Sequence, residues 1–140
     1  SDIEQKEKRD RVDDAVCATR AALEEGILPG GGVALRDCST KFTMDEDISD
    51  EGITARAILS HAMCAPFAQI LENGGMECSL TKGGHGMDVK TGKQGDMMKM
   101  GIIDPTKVTI SALENAVSVA TTILSTNAII TNIRDYEGNR

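Results

Sequence analysis

Two clusters of glycine divide the chain into long segments, and this division constrains the fold more than any other feature. The first cluster is the turn Pro29-Gly-Gly-Gly32, and the second is the stretch 74–95, which contains seven glycines. Because glycine has no side chain, it permits tight turns and the close approach of other groups, but it weakens helices and strands. We therefore expect turns at both clusters and regular structure between them.

The long segments outside these clusters have helical periodicity. Apolar residues recur at three- and four-residue steps in 2–25, in about 49–73 and in about 104–125. The apolar residues of 49–73 cover more than one face, which predicts a mostly buried helix with a kink at Pro66. Asp104 followed by a proline is typical of a helix start, with the aspartate as the cap.

Shorter elements are predicted beside these helices. We expect turns and a short hairpin in 74–95, and a β-branched strand over 128–133. With 2% aromatic residues and no tryptophan, the core has to be filled by aliphatic side chains and methionine. That composition favours packed helices over a sandwich or barrel. The predicted fold class is therefore mainly α with a short β hairpin or strand.

Charge and residue spacing exclude several functions. The net charge of −7 argues against a nucleic-acid partner, because such binding depends on basic residues that neutralise phosphates. No apolar run is long enough to span a membrane, so no membrane partner is expected. The four cysteines and two histidines lack the spacing of a metal site, and no metal ligands are predicted. Cys17 and Cys64 lie among apolar residues of predicted helices, where free cysteines are usually buried in a reducing compartment.

Two apparent catalytic motifs fail on their spacing. Gly86 to Gln94 is similar to a phosphate-binding loop, but five residues separate its glycines and Gln94 replaces the hydroxyl residue that would bind Mg²⁺. Ser79-Leu-Thr-Lys82 and Lys90-Thr-Gly92 are similar to motifs of penicillin-recognising enzymes, but they are nearly adjacent and the third motif is missing. Neither motif predicts a site.

Three other features stay open to two interpretations. The turn 29–32 is either a plain connection or a turn whose backbone N–H groups face an anionic or polar ligand. Asp14 is either a solvated acid, with the like charge of Asp10 four residues before it, or an acid that meets a group outside its own helix. Asp104 is either a helix cap or a ligand-binding carboxylate.

Two long motifs resemble a known family. One is the run Arg11-Val-Asp-Asp-Ala-Val-Cys-Ala-Thr-Arg-Ala-Ala-Leu-Glu-Glu-Gly-Ile-Leu-Pro-Gly-Gly-Gly-Val-Ala-Leu35, and the other is Met100-Gly-Ile-Ile-Asp-Pro-Thr-Lys-Val108 with the helix after it. Both closely resemble the group I chaperonins of the GroEL type. Their order and separation match that family, and the resemblance extends along nearly the whole chain.

This resemblance implies a place in a larger subunit. Residues 1–25 would be the last helix of the intermediate domain, and residues 26–140 the second half of the equatorial, ATP-binding domain. The family's subunits form double seven-membered rings that use ATP and Mg²⁺ to assist protein folding. Co-chaperonin and unfolded clients bind an apical domain that this sequence does not contain, and the first half of the equatorial domain is also expected to be missing. The expected location is the bacterial cytoplasm, or alternatively the mitochondrial matrix or plastid stroma.

The resemblance also implies site residues. Asp14 matches the family's catalytic acid, which orients the attacking water, and Asp104 matches a carboxylate that binds the ribose hydroxyls. Gly31 matches a backbone contact near the nucleoside. A short loop against the adenine is matched by Asp88, Val89 and Lys90. The phosphates and Mg²⁺ would be bound by a Gly-Asp-Gly-Thr-Thr-Thr-type loop of the missing half.

Two functions follow from these observations. In the first, the chain is part of an ATP-dependent chaperonin and has no ATPase activity and binds no ATP by itself. In the second, it is a free-standing helical protein-interaction module derived from a chaperonin, without ATPase activity. In the first case, apolar surface that the rest of the subunit would cover predicts self-association.

Overall fold

The computed structural model describes residues 1–41, 49–77 and 82–131. Its elements, in chain order, are α1 (Asp2–Glu25), β1 (Ile27–Pro29), α2 (Val33–Ser39), α3 (Asp50–Asn73), β2 (His85–Asp88), β3 (Lys93–Asp96), β4 (Ile103–Pro105) and α4 (Thr106–Leu124). Helices account for most of the described residues, and the strands among them form two short antiparallel pairs. The predicted mainly α fold class is therefore confirmed.

The long helices begin and end where local chemistry favours it. The side chain of Ser1 accepts a hydrogen bond from the N–H of Glu4, and the Ser1 amino group donates to the Glu4 carboxylate in return. At the start of α3, the hydroxyl of Ser49 accepts a hydrogen bond from the N–H of Gly52. Such caps satisfy N–H groups that have no partner within the helix. The helices predicted for 2–25 and 49–73 are confirmed to within one residue.

Contacts divide the chain into two units, Ser1–Thr109 and Ile110–Arg140. In the first unit, β1 pairs with β4, and β2 pairs with β3 as the predicted hairpin. The core of this unit lies where α2, α3 and the hairpin meet, and it consists of Val33, Phe67, Leu71 and Met97. In the second unit, the described residues are the helical residues 110–124 and a segment without helix or strand at 125–131.

Two predictions about secondary structure are wrong. Residues 128–131 form no strand, and residues 132 and 133 lie outside the described part of the chain. A β-branched segment becomes a strand only when a neighbouring strand accepts its backbone hydrogen bonds. Asp104 was predicted to cap the helix that follows it. Instead it lies within β4, and the helix begins at Thr106.

Two predictions about burial are also wrong. Among the residues of α3, only Met63, Phe67 and Leu71 are buried, so the helix is not mostly buried. Cys17 is exposed and Cys64 is half-buried, while Cys78 lies outside the described residues. Both predictions assumed more tertiary packing than the described residues provide. These residues cover α3 on one side and leave every residue of α1 at least partly accessible.

Candidate functional site

The pairing of β1 with β4 brings the first glycine cluster to Asp104. Leu28 lies opposite Asp104 in the register of the two strands. Beyond the strand, the N–H of Gly30 donates to the carbonyl of Ile102 at 2.9 Å. We call Gly30–Gly32 and the facing residues 102–104 the glycine corner. Its two sides are about seventy residues apart in the sequence, so only the fold places them together.

The three glycines are required by the space around them. A Cβ atom on Gly30 would lie 3.0 Å from the backbone nitrogen of Ile103, and one on Gly32 would lie 2.6 Å from that of Phe67. Gly31 and Gly32 also have φ angles of 66° and 75°, which side chains disfavour. The turn therefore packs directly against β4 on one side and α3 on the other. This close packing fixes the direction of its N–H groups.

Asp104 has an unusual electrostatic environment. Burial raises the pKa of its carboxyl, and a hydrogen bond from the N–H of Gly31 lowers it, but burial has the larger effect and the pKa lies above its ordinary value of 3.8. A carboxylate has about four acceptor positions on its two oxygens. Hydroxyl groups of a ligand are suitable donors to such positions. The structure thus places two of the predicted site residues, Gly31 and Asp104, in one arrangement that suits a ligand with adjacent hydroxyls.

The predicted adenine loop lies at the tip of the hairpin. The carboxylate of Asp88 accepts hydrogen bonds from the Lys90 N–H at 2.9 Å and the Thr91 hydroxyl at 2.7 Å, and both lower the pKa of Asp88. Asp88 therefore holds the turn together. The side chain of Val89 faces the end of α3, where a Cβ on Gly74 would lie 3.2 Å from it.

The base of the same hairpin reaches the glycine corner. A Cβ on Gly86 would lie 2.7 Å from Val33 and 2.8 Å from the sulfur of Met97, and a Cβ on Gly31 would lie 3.0 Å from the Met97 methyl group. The side chain of Met97 thus lies between the hairpin and Gly31. The tip is roughly 10 Å further along the strand, at about 3.3 Å per residue. The backbone contacts bring the base of the hairpin, but not residues 88–90, to the corner.

Asp14 is exposed on α1 and is not in contact with the glycine corner. It lies about 15 Å along the helix from Glu24, whose carboxylate pairs with Lys107 just after β4. Ala18 and Ala21 follow Asp14 at four and seven residues, and both are half-buried where α1 packs against β4. Residues at this spacing share one face of a helix. Asp14 therefore lies on the face of α1 that turns toward β4, about two to three turns away.

Sequence reasoning missed a group of residues that fastens the hairpin to α2. Arg36 and Asp37 form an ion pair, and together they hydrogen-bond the backbone of Gly84 and His85. The only signal in the sequence is an Arg-Asp pair beside the first glycine cluster, and such pairs are usually solvated. Met97 was missed for a similar reason, because nothing in the periodicity distinguishes it from the neighbouring Met98.

Asp104 and Gly31 bring an acceptor and a tight backbone turn to one place. Within 1–41, 49–77 and 82–131 no three Asp, Glu, His or Cys residues lie close enough together to hold a metal ion. No helix in these same ranges is long and apolar enough to cross a membrane.

The sequence matches the model of the TCP-1/cpn60 chaperonin family over residues 1–134. The match includes both glycine clusters, the Asp-Pro pair and all the residues that form the glycine corner. The mainly helical fold with two short antiparallel strand pairs is consistent with part of a chaperonin equatorial domain. The chain therefore belongs to the TCP-1/cpn60 chaperonin family.

Proposed function

We propose that this chain supplies the nucleoside side of the ATP site in a group I chaperonin subunit. The observation that carries the proposal is the glycine corner, where the Gly31 N–H and the half-buried Asp104 carboxylate meet. Asp104 would accept hydrogen bonds from both ribose hydroxyls, and its charge strengthens such bonds. The packing of Gly32 against α3 holds Gly31 in place before the ligand arrives.

Asp14 is proposed as the catalytic acid. It is an exposed carboxylate on the face of α1 that turns toward β4, so movement of α1 could bring it over a nucleotide bound at the corner. There it would accept a hydrogen bond from the attacking water and orient it. ATP with Mg²⁺, when bound, supplies the phosphoryl group and neutralises its charge. The residues that hold the phosphates and Mg²⁺ are proposed to lie in the other half of the equatorial domain.

The remaining assignments follow the same proposal. Residues 1–25 correspond to the last helix of the intermediate domain, and 26–140 to the second half of the equatorial domain, with Gly26 between α1 and β1. Asp88, Val89 and Lys90 would lie against the adenine, reached from the hairpin tip. Family membership supports a role in protein folding within an assembly of chaperonin subunits. Double seven-membered rings, the co-chaperonin, the clients and a cytoplasmic, mitochondrial or plastid location belong to the proposal.

A free-standing interaction module without ATPase activity is not favoured. The family match covers residues 1–134, a range that includes Asp14, Gly31 and Asp104.

The proposal is tested on the full-length subunit, purified as the assembled particle, by steady-state ATP hydrolysis. Asp14→Ala should lower kcat about a hundredfold and leave KM for ATP within about threefold, because general-base and water-orienting groups contribute at this level. Asp104→Ala should raise KM ten- to a hundredfold, because hydrogen bonds to a charged group contribute about 1.5–3 kcal/mol.

Asp13→Ala is the matched control, because Asp13 is an exposed carboxylate one residue away on another face of α1. It should behave as the wild type. Equal kinetics for Asp104→Ala and wild type would contradict the assignment of the ribose site. ATP turnover by residues 1–140 alone would contradict the assignment of phosphate binding to another part of the subunit.

A further inference from the structure

A half-buried ion pair joins α2 to the base of the hairpin. The guanidinium of Arg36 donates to one carboxylate oxygen of Asp37 from Nη2 at 2.7 Å and from Nε at 3.1 Å. Their side chains are 13% and 21% exposed, so both charges are largely removed from water. Neighbouring residues on a helix do not face each other, so both side chains must turn toward a common target. That target is β2.

The pair binds the backbone of two consecutive residues of the hairpin. The second carboxylate oxygen of Asp37 accepts a hydrogen bond from the Gly84 N–H at 2.5 Å, and Arg36 Nη2 donates to the His85 carbonyl at 2.8 Å. The Arg36 guanidinium also stacks on the ring of Phe67, 4.5 Å from its centre. We call these two side chains and the two peptide groups the Asp37 clasp.

A continuous path of hydrogen bonds leads from the clasp to the glycine corner. The Gly84 N–H donates to the Asp37 carboxylate, and the Gly84 carbonyl accepts from the Met97 N–H at 3.0 Å. The Met97 carbonyl accepts from the Ile102 N–H at 3.0 Å, and the Ile102 carbonyl accepts from Gly30. Because the chain also runs directly from Gly30 through α2 to Asp37, this path closes into a ring. Opening it at the clasp removes the side-chain link between α2 and the hairpin residue Gly84, to which Met97 is bound.

The side chain of Met97 connects this ring to the proposed ribose contact. It is 1% exposed, and its methyl group lies directly beneath Gly31. If the hairpin moves away from α2, Met97 moves with it, because its N–H is bound to Gly84. The support under Gly31 is then lost, and the Gly31 N–H no longer has a fixed direction toward Asp104.

From this geometry we infer that Asp37, with Arg36, is a positioning residue for nucleotide binding: it fastens the β2–β3 hairpin and thereby holds Gly31 against Asp104. The inference rests on the proposed function, because it concerns the same site. Asp37 itself touches neither the glycine corner nor the hairpin tip. Its effect is therefore expected on ATP affinity, and not on the chemical step.

The test compares Asp37→Ala, Asp37→Asn and Asp13→Ala in the full-length assembled subunit. Asp37→Ala should raise KM for ATP about tenfold and leave kcat within about twofold. Asp37→Asn keeps an oxygen acceptor for the Gly84 N–H, so it should restore KM to within about threefold of the wild type. Asp13→Ala should match the wild type. A residue needed only for general stability would lower the apparent kcat through loss of folded particles and leave KM unchanged, which is the opposite pattern.

Hydrogen exchange measured by mass spectrometry on the same proteins tests the clasp without nucleotide. Peptides that contain Gly84 and Met97 should exchange at least tenfold faster in Asp37→Ala, and peptides of α1 should be unchanged. If Asp37→Ala fails to assemble, Arg36→Lys takes its place, because lysine keeps the charge but cannot bridge Asp37 and His85 as a fork does. It should raise KM about threefold and speed exchange at the same peptides.

The outcomes separate this inference from the proposed function. Faster exchange with unchanged KM would overturn the positioning role and leave the ATP site intact. Unchanged exchange in Asp37→Ala would show that the clasp does not hold the hairpin, and would overturn the inference as well. A wild-type particle that binds no ATP would overturn the proposed function together with this role, while the exchange data would still report whether the clasp exists.

Discussion

The glycine corner and α1 lie in the same unit, but they differ in how their residues are constrained. Next to the corner, Val33 is fully buried and Met97 is 1% exposed, and within it a single added methyl group on Gly32 would collide with the backbone of α3. In α1, Leu23 is 84% exposed and Val12 is 61% exposed. The corner has little regular structure, whereas α1 is a helix of 24 residues.

This difference shows that a segment can have regular secondary structure without being tightly packed, and can be tightly packed without regular secondary structure. The helix of α1 has its own backbone hydrogen bonds and a capping box at its start, and none of its residues is buried. Its exposed apolar residues, Val12, Val16 and Leu23, lie on the face opposite Asp14. The glycine corner, in contrast, is defined entirely by its neighbours.

The largest difference in stability is expected when a core side chain next to the glycine corner is truncated. Phe67→Ala should lower the free energy of unfolding by about 4 kcal/mol, because a buried aromatic side chain is replaced by a cavity. Leu23→Ala, at an exposed position of α1, should change it by less than about 0.5 kcal/mol. Urea unfolding followed by circular dichroism measures both. A large effect of Leu23→Ala would mean that α1 is already covered in solution, for example by self-association.

A smaller difference is expected between two glycines with similar backbone angles. Gly32→Ala should cost about 3 kcal/mol, because it combines overpacking against Phe67 with an unfavourable positive φ. Gly92→Ala has a φ of 69° but no atom within 4 Å of the new methyl group, so it should cost about 1 kcal/mol. Thermal unfolding of the two variants separates packing from backbone strain. Equal losses would show that the corner is looser than described.

The smallest effect on stability is expected from the carboxyl groups of Asp104 and Asp88, whose pKa values are shifted in opposite directions. The raised pKa of Asp104 means that the folded chain holds its proton more tightly than the unfolded chain does. Stability contributed by this group is therefore lost as pH rises from about 3.8. The lowered pKa of Asp88 has the reverse sign, and its contribution is lost as pH falls below that value.

Urea midpoints across roughly pH 3 to 7 measure these contributions. Relative to the wild type, Asp104→Asn should gain stability as pH rises, and Asp88→Asn should lose it. If the two variants gave the same slope against pH, the half-buried environment of Asp104 would be contradicted.

Much of the fold could be predicted because its signals are local. The periodicity of 2–25 and 49–73 gave both long helices nearly to the residue, and the glycines of 74–95 gave the hairpin. Burial could not be predicted in the same way. An apolar stripe shows which face of α3 or α1 prefers to be covered, but it does not show whether a partner covers that face. The predictions that Cys17 is buried and that α3 is mostly buried were wrong for this reason.

The site was less accessible to sequence reasoning. No local pattern pairs β1 with β4, because their residues are far apart in the chain, and local patterns therefore left Asp104 open between a helix cap and a ligand-binding carboxylate. The resemblance to chaperonins named Gly31 and Asp104 as site residues, and the roles of all six site residues stay predictions. The Asp37 clasp depends on hydrogen bonds between residues 47 and 49 positions apart in the sequence, and no sequence motif predicts such contacts.

The separation of β1 from β4 has a consequence for synthesis. A ribosome adds about 5–20 residues per second, so the strand that carries Asp104 leaves it roughly 4–15 s after the glycine turn. During that interval the turn lacks the strand against which Gly30 packs, even after α3 has been made. A member of a family that protects unfolded proteins thus passes through an unprotected stage of its own.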